Sequence, residues 1–266
     1  AMVVPSDSPE ETYASLNSLP QMREWVGDRH IHGLSAKNAI TIRNKDWEAS
    51  IGVDRNDFLF DKLGIVGPRV RQLARAYQLH RISILASLVA GGFTSLCFDG
   101  QYFFDTDHPV GRPGFEVSVS NKGTAVLSQE AILAGLAAMR SLKDESGNYL
   151  RIVGDTLVVS PQKWGLANQL MTADLIEGES NTTKGLLKVM VVEELADTPN
   201  AWAILCLAQP LKPFILQVVK EGEFVAMESP DDESVFMRKE FRYGVDSIDS
   251  AGYGLWQLAW GSTGAG

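Results

Sequence analysis

Between Ala39 and Val53 the chain alternates apolar and polar side chains across a short polar break. Ile40 and Ile42 precede Asn44-Lys45-Asp46, and Trp47, Ala49, Ile51 and Val53 follow it, while Thr41, Arg43, Glu48 and Ser50 take the opposite face. The period of two predicts a long β-hairpin turning at Asn44–Asp46. A two-stranded ribbon with one apolar face is marginal in water, so a surface outside the hairpin has to cover it.

The next long element is helical. Gly67-Pro68 opens it, because proline is tolerated in a first turn, and Val70, Leu73, Ala74, Tyr77, Ile84, Leu85 and Leu88 recur at helical spacing until Gly91-Gly92. Arg81 falls on the apolar stripe itself, which requires a carboxylate or another subunit to meet it. Arg69, Arg71 and Arg75 crowd the start, where the helix dipole gives cations no help. They read as a solvated face or, more sharply, as a surface for a polyanion or an acidic neighbour.

Further on, Ser128 is a candidate N-cap for the helix SQEAILAGLAAMRSL, Thr156–Val159 reads as a strand, and Ser160-Pro161 starts a helix carrying Trp164, Ala167, Leu170 and Met171. Strand-like runs follow at Leu186–Val192, Ala201–Ala208, Phe214–Val219, Phe236–Val245 and Tyr253–Trp260. Helices and strands mix without a regular βαβ repeat or any fixed internal period, which places the chain in the α+β class. The polar, proline-bounded first 20 residues have too few apolar positions to pack alone and read as an arm needing a partner surface; the tail GSTGAG reads as flexible.

A chain of 266 residues with 45% hydrophobic content is long enough to bury a substantial core. Its net charge of -9, from 24 Lys and Arg against 33 Asp and Glu, disfavours a strongly basic nucleic-acid-binding surface. Cys97 and Cys206 each sit in an apolar segment and read as buried free thiols of a reducing compartment. The longest nearly uncharged apolar run, Ile82–Phe93, is too short to cross a bilayer, so no membrane association is expected. The sequence contains no nucleophile elbow, no phosphate-cradling glycine motif and no C-x-x-C pair, and it points to no cofactor. His30 and His32, two apart, fit one face of a strand and read as a surface pair more readily than as metal ligands.

One stretch, FDGQYFFDTDHPVGRPG from Phe98 to Gly114, gathers Asp99, Asp105, Asp107 and His108 among aromatics. Hard oxygen ligands with one imidazole suit magnesium, manganese or iron. The same residues also read as a turn in which Asp side chains bond nearby backbone amides, with Tyr102, Phe103 and Phe104 anchored in the core. The turn is the preferred reading, and the metal-dependent hydrolase it displaces is kept as an alternative.

That stretch, together with AMVVPS, MREWVGDR, KNAITIRNKDWEASIGVDRNDF, KLGIVGPRV, PLKPFILQ and FRYGVDSIDSAGYGLWQLAWGS, resembles the major head (capsid) subunit of Mu-like phages and prophages. The likeness runs in order from the first residues to Trp260 and is weakest between about Val117 and Asn200. It implies a Hong Kong 97-like capsid fold with an N-terminal arm (1–21), an extended hairpin loop (22–57) and a peripheral domain (58–122) built on a spine helix (68–90). Residues 123–219 would form most of an axial domain, and the strands of 220–266 would return to the peripheral domain. Arg23, Trp25, Asp28, Arg29, Arg43, Trp47, Asp54, Arg55 and Asp57 become intersubunit candidates along the hairpin, with the alternative that they only keep an edge ribbon soluble.

The implied function is structural, not enzymatic: self-assembly into hexamers and pentamers of an icosahedral shell around double-stranded DNA. Weak, non-specific DNA contact would involve Arg69, Arg71 and Arg75. Portal and minor head or decoration proteins are the implied partners, the virion capsid the implied location, and the bacterial host cytoplasm the place of assembly. A cellular nanocompartment of the same fold is the second alternative. Family members usually have residues upstream of AMVVPS, so the start Ala1-Met2 implies a proteolytically matured or trimmed subunit.

Overall fold

The computed structural model describes residues 1–13, 39–60, 64, 66–111, 114–144, 147–176 and 178–265. In chain order its elements are β1 (Met2–Pro5), β2 (Glu10–Tyr13), β3 (Ile40–Arg43), β4 (Lys45–Asp54), α1 (Arg55–Leu59) and the long helix α2 (Val66–Ala90). Then come β5 (His108–Val110), β6 (Val117–Val119), β7 (Lys122–Gly123), α3 (Gln129–Ser141), β8 (Thr156–Val159), α4 (Trp164–Thr172), β9 (Leu175–Ile176) and β10 (Glu179–Ser180). The chain continues through β11 (Lys188–Val191), β12 (Trp202–Leu205), β13 (Phe214–Met227), α5 (Glu233–Arg238), β14 (Glu240–Tyr253) and β15 (Ala259–Ser262). Two sheets dominate, one ordered β1-β13-β14-β4 and the other β11-β8-β12-β15-β7. Both are mixed and share the chain with helices, as the α+β reading expects.

The hairpin expected at Asn44 does not form. β3 pairs antiparallel with β2, whereas β4 pairs antiparallel with β14 along its full length from Lys45↔Asp249 to Asp54↔Glu240. Asn44 is the junction between these partnerships: its N–H donates to Pro9 O at 2.9 Å, and its side-chain amide donates to Ser8 O at 2.7 Å and accepts from Gln217 at 2.7 Å. Alternation specifies which face a strand buries but not which strand lies beside it, and the long β14 outcompetes a short neighbour. The first residues find their partner surface within the same chain, β1 running parallel to β13 and β2 closing on β3. Two further expectations shift: Phe236 lies in α5 instead of a strand, and the run Tyr253–Trp260 is broken by a 3-10 turn at Trp256–Leu258. The C-terminal segment also divides, since β14 joins the β4 sheet while β15 enters the other sheet between β12 and β7.

Helix α2 covers the apolar face of β4. Leu73, Tyr243 and Val245 form a buried cluster joined by Ala49, Ile51, Val53, Val70, Tyr77 and Phe241. Next to it lies the carboxylate that Arg81 required. Asp249, fully buried on β14, receives Arg81 Nε at 3.3 Å on one oxygen and faces His80 Nε2 at 3.2 Å with the other. The Trp47 ring meets His80 at a tilt, ring centroids 4.3 Å apart and planes at 51°, and donates its indole N–H to the Asp249 carbonyl at 3.1 Å. Arg81 also approaches Glu221 at 2.8 Å, an ion-pair distance whose terminal nitrogen lies off the hydrogen-bonding line, and it covers the Tyr77 ring at 4.9 Å.

The second sheet holds the main core. Its strands β8 and β12 are buried at every residue, as expected of central strands covered on both faces by apolar packing, here with α3 and α4. Ser128 caps α3 by accepting the Ala131 N–H at 3.2 Å. Ala86 and Val89 at the far end of α2 enter this core beside Phe103 and Phe104, both wholly buried. The Phe104 ring is held between two glycines: a Cβ built on Gly92 or Gly261 would come within 2.7 Å of it.

Two outcomes follow for stability. Gly261→Ala overpacks the Phe104 slot and lowers unfolding free energy by about 2 kcal/mol in a denaturant titration. Asp249→Asn leaves Arg81 short of its buried counter-charge and lowers it by about 3 kcal/mol, whereas Glu221→Gln, at a largely exposed carboxylate, changes it by less than about 1 kcal/mol.

Candidate functional site

The stretch after α2 folds as a hydrogen-bonded turn around His108. The imidazole is fully buried, stacks on Trp256 with centroids 4.0 Å apart and planes at 9°, and is bonded at both nitrogens. Nδ1 lies 2.7 Å from Asp99 Oδ2, and Nε2 lies 3.2 Å from Asn121 Oδ1. The orientation of Asn121 follows from its own partners. Its amide nitrogen donates to Phe103 O at 2.8 Å and to the carbonyls of Trp256 and Ala259 at 3.3 Å, so its oxygen points back to accept from the Asp105 N–H at 2.9 Å and from His108. Both ring nitrogens therefore face acceptor oxygens, which holds the imidazole in one orientation between Asp99 and Asn121.

Burial pushes the Asp99 carboxyl up, but hydrogen bonds from His108 and Cys97, the His108 charge and the Gln101 N–H outweigh it and hold the group below the usual carboxylate range. Cys97 completes the cluster, donating its thiol to Asp99 Oδ1 at 2.9 Å. Burial, and then the neighbouring carboxylate, push the Cys97 thiol up, so it stays protonated. Cys97, Asp99 and His108 bring three potential ligand atoms within 4.8 Å of one another. Binding a cation there would require both the thiol and the imidazole to give up protons that now bond Asp99, so the chemistry of this trio is that of a closed staple.

The four residues singled out in sequence separate accordingly. Only Asp99 and His108 meet. Asp105 turns to the backbone, accepting from Tyr102 N–H at 3.1 Å and Thr106 N–H at 2.8 Å, and Asp107 is exposed. Phe103 and Phe104 anchor the turn as expected, but Tyr102 is 42% exposed and does not. Asn121 and Cys97 were missed. Cys97 stands two residues before Asp99, a spacing that sequence reading could have weighed, whereas nothing local marks Asn121.

A family model described as the Mu-like prophage major head subunit gpT matches residues 1–126, 122–195 and 193–265. The chain belongs to this family. It is 29% identical over 259 residues to the Mu-like prophage FluMu major head subunit of Haemophilus influenzae and, equally, to the major capsid protein of Escherichia phage Mu. Each alignment covers 97% of this chain and 63% of the relative, so the chain spans less than two thirds of their length. It superposes on the subunit in the procapsid of bacteriophage JBD30 with a TM-score of 0.60 at 30% identity, covering 98% of this chain and 65% of that one. The fold is the Hong Kong 97-like capsid fold.

In this member of the Mu-like head subunit family the ribbon candidates part company. Arg23, Trp25, Asp28 and Arg29 lie outside the described residues, as do His30 and His32. Trp47 belongs to the Asp249 contact inside the subunit. Asp54 caps α1 by accepting the Asn56 N–H at 2.7 Å, Arg55 is half-buried, and Arg43 and Asp57 are exposed. Arg69, Arg71 and Arg75 are exposed around the first turns of α2, and among the described residues none makes an ion pair.

The staple has a pH signature. Because folding lowers the Asp99 pKa, its contribution is fully present above the unfolded carboxylate value of about 3.9 and is lost as pH falls through the lower folded value. Asp99→Asn is expected to lower stability near neutral pH by about 2 kcal/mol and to flatten the fall in unfolding free energy below about pH 4. A variant retaining the full wild-type slope would assign that acid sensitivity to other carboxylates.

Proposed function

We propose that this chain is the major capsid subunit of a tailed Mu-like phage or prophage, self-assembling into hexamers and pentamers of an icosahedral shell that encloses double-stranded DNA. The observation that carries the reading is the family match along nearly the whole chain, coupled to a capsid fold. The region around β13, β14 and α2 is assigned to the peripheral domain of that plan, with β4 of the loop segment laid along it, and the β11-β8-β12-β15-β7 sheet with α3 and α4 to the axial domain. Residues 1–21 would serve as the arm and 22–57 as the extended loop. The shell would form in the host cytoplasm and become part of the virion, with portal, minor head and decoration proteins as further partners.

Contact with packaged DNA is proposed to be weak and non-specific, because the net charge of -9 opposes tight polyanion binding. The same fold could enclose an enzyme in a cellular nanocompartment, but the Mu-like family match favours a genome. Electron microscopy of the purified full-length protein, with an absorbance ratio for nucleic acid, is the test. Uniform shells or capsomers are expected. A homogeneous monomer at every protein and salt concentration would overturn the reading, and shells filled with a cargo enzyme and free of nucleic acid would turn it to the nanocompartment.

A further inference from the structure

Helix α2 holds Arg69, Arg71, Arg75, His80 and Arg81 and not a single Asp or Glu. His80 and Arg81 turn to the sheet, where Asp249 and Glu221 meet them. Arg69, Arg71 and Arg75 are exposed, and among the described residues none of the three makes an ion pair. Their placement works against the helix itself. They sit in its first half, where the dipole opposes cations, and Arg71 and Arg75, one turn apart on the side away from buried Leu73, repel each other. A face that only meets water gains nothing from such a row, whereas an external anion reverses both effects.

The far side of the sheet beneath has the opposite sign. Ala49, Ile51, Val53, Tyr243 and Val245 pack toward α2, and the residues that alternate with them take the other face. There Glu223, Asp246 and Glu48 form one row across β13, β14 and β4, with Asp46 and Glu240 on the same face. Lys220 and Arg242, the cations of that face on these strands, are already held by Glu223, Asp246 and Glu240. At the end of the sheet where α1 and α5 sit the charges are mixed, exposed Asp57, Asp231 and Glu233 lying among exposed Arg238 and Lys239, so this tip does not extend the arginine row. The acids of residues 193–197 belong to the other end of α2, where Leu195 shares a core with Ala86 and Val89, roughly 16 Å along the helix from Arg75. The helix side of this two-layer unit is thus basic and its sheet side acidic.

We propose that Arg69, Arg71 and Arg75 form a phosphate-backbone contact for double-stranded DNA, with the α2 side of the subunit turned to the enclosed duplex and the acidic sheet face turned away from it. The inference rests on the reading of the chain as a shell subunit and names the surface behind the weak DNA contact proposed there. A duplex carries one negative charge per about 1.7 Å of its axis, so a row of cations meets phosphates in any register and reads no sequence. Three charges suit a contact repeated by many subunits: each one is weak, and the acidic face keeps nucleic acid off the opposite side.

The test titrates unassembled full-length protein, separated from shells by sedimentation, against a fluorescent duplex of arbitrary sequence from about 50 to about 200 mM salt. Circular dichroism and the thermal midpoint confirm that each variant is folded. Arg69→Gln with Arg71→Gln and Arg75→Gln is expected to weaken binding at low salt at least ~10-fold and to flatten the log–log salt dependence by about 2 to 3. Lysine at the same three positions keeps the charge and should hold affinity within ~3-fold. Arg140→Gln with Lys143→Gln and Arg151→Gln, exposed cations elsewhere, makes the same change in net charge and should alter binding by less than ~2-fold. Closed wild-type shells should leave added duplex unbound. If the glutamine variant of the row binds like wild type, or the control loses as much, the row is not the contact. If that variant binds duplex like wild type but no longer assembles, the row meets an acidic surface of a neighbouring copy instead. Closed shells that bind added duplex through the row would overturn the orientation. A wild type that assembles but does not bind the duplex overturns this inference and leaves the capsid reading standing, and one that binds the duplex but never assembles does the reverse.

Discussion

A single buried carboxylate sets the geometry of one half of the molecule. Asp249 has no solvent contact, so its charge is tolerable only where Arg81 and His80 meet it. That requirement pins α2 at one position along β14, because sliding the helix by a turn would strand both the carboxylate and the guanidinium. Strand β13 adapts to the same contact. Its pairing with β14 shifts between Val218 and Lys220 and again before Glu223, and the resulting bulges bring the Gly222 backbone against the Tyr77 ring and Glu221 to within 2.7 Å of the Tyr77 hydroxyl. A side chain at Gly222 would collide with that ring, so the bulge, the glycine and the helix position are one arrangement.

The same pinning decides where the other end of α2 arrives. Ala86 and Val89 enter the main core next to Phe103 and Phe104, and the His108 staple then holds the chain as it leaves the helix. Asn121 ties this turn to the carbonyls of Trp256 and Ala259, just ahead of and at the start of β15. Helix, turn and C-terminal strand are thereby connected through a few buried polar groups, each with its hydrogen bonds made. Such groups contribute less to net stability than to excluding alternative packings, since every shifted arrangement would leave one of them buried and unpaired.

What could be read from the sequence divides along physical lines. Helix α2 was legible because periodicity, proline and paired glycines are local signals, and the capping role of Ser128 was legible for the same reason. Arg81 on the apolar stripe announced that a buried acid was needed, but its partner lies 168 residues away and nothing in the local pattern names it. The supposed hairpin shows the converse. Its alternation correctly marked Ala49, Ile51 and Val53 as the face that packs, partly buried, against the helix cluster, but pairing is settled by competition among all strands, and β14 takes β4 at a separation no local rule reaches. The cluster of Asp99, Asp105, Asp107 and His108 failed as a set because proximity in sequence says little about direction within a turn.

These constraints bear on how a shell subunit could tolerate several environments. Under the proposed function, one chain must occupy positions that differ slightly in angle, so some surfaces have to yield while the interior does not. The Asp249 contact and the His108 staple are poor places for compliance, since small displacements unpair buried charges. The tip built from α1 and α5 is a better one. It is attached through short helices, a backbone hydrogen bond from Arg55 to Lys239 and an edge-on ring contact, and its charged groups are exposed and weakly held in any one geometry. Stiffness where charges are buried and adaptability where they meet water is the distribution that repeated contacts between identical chains require.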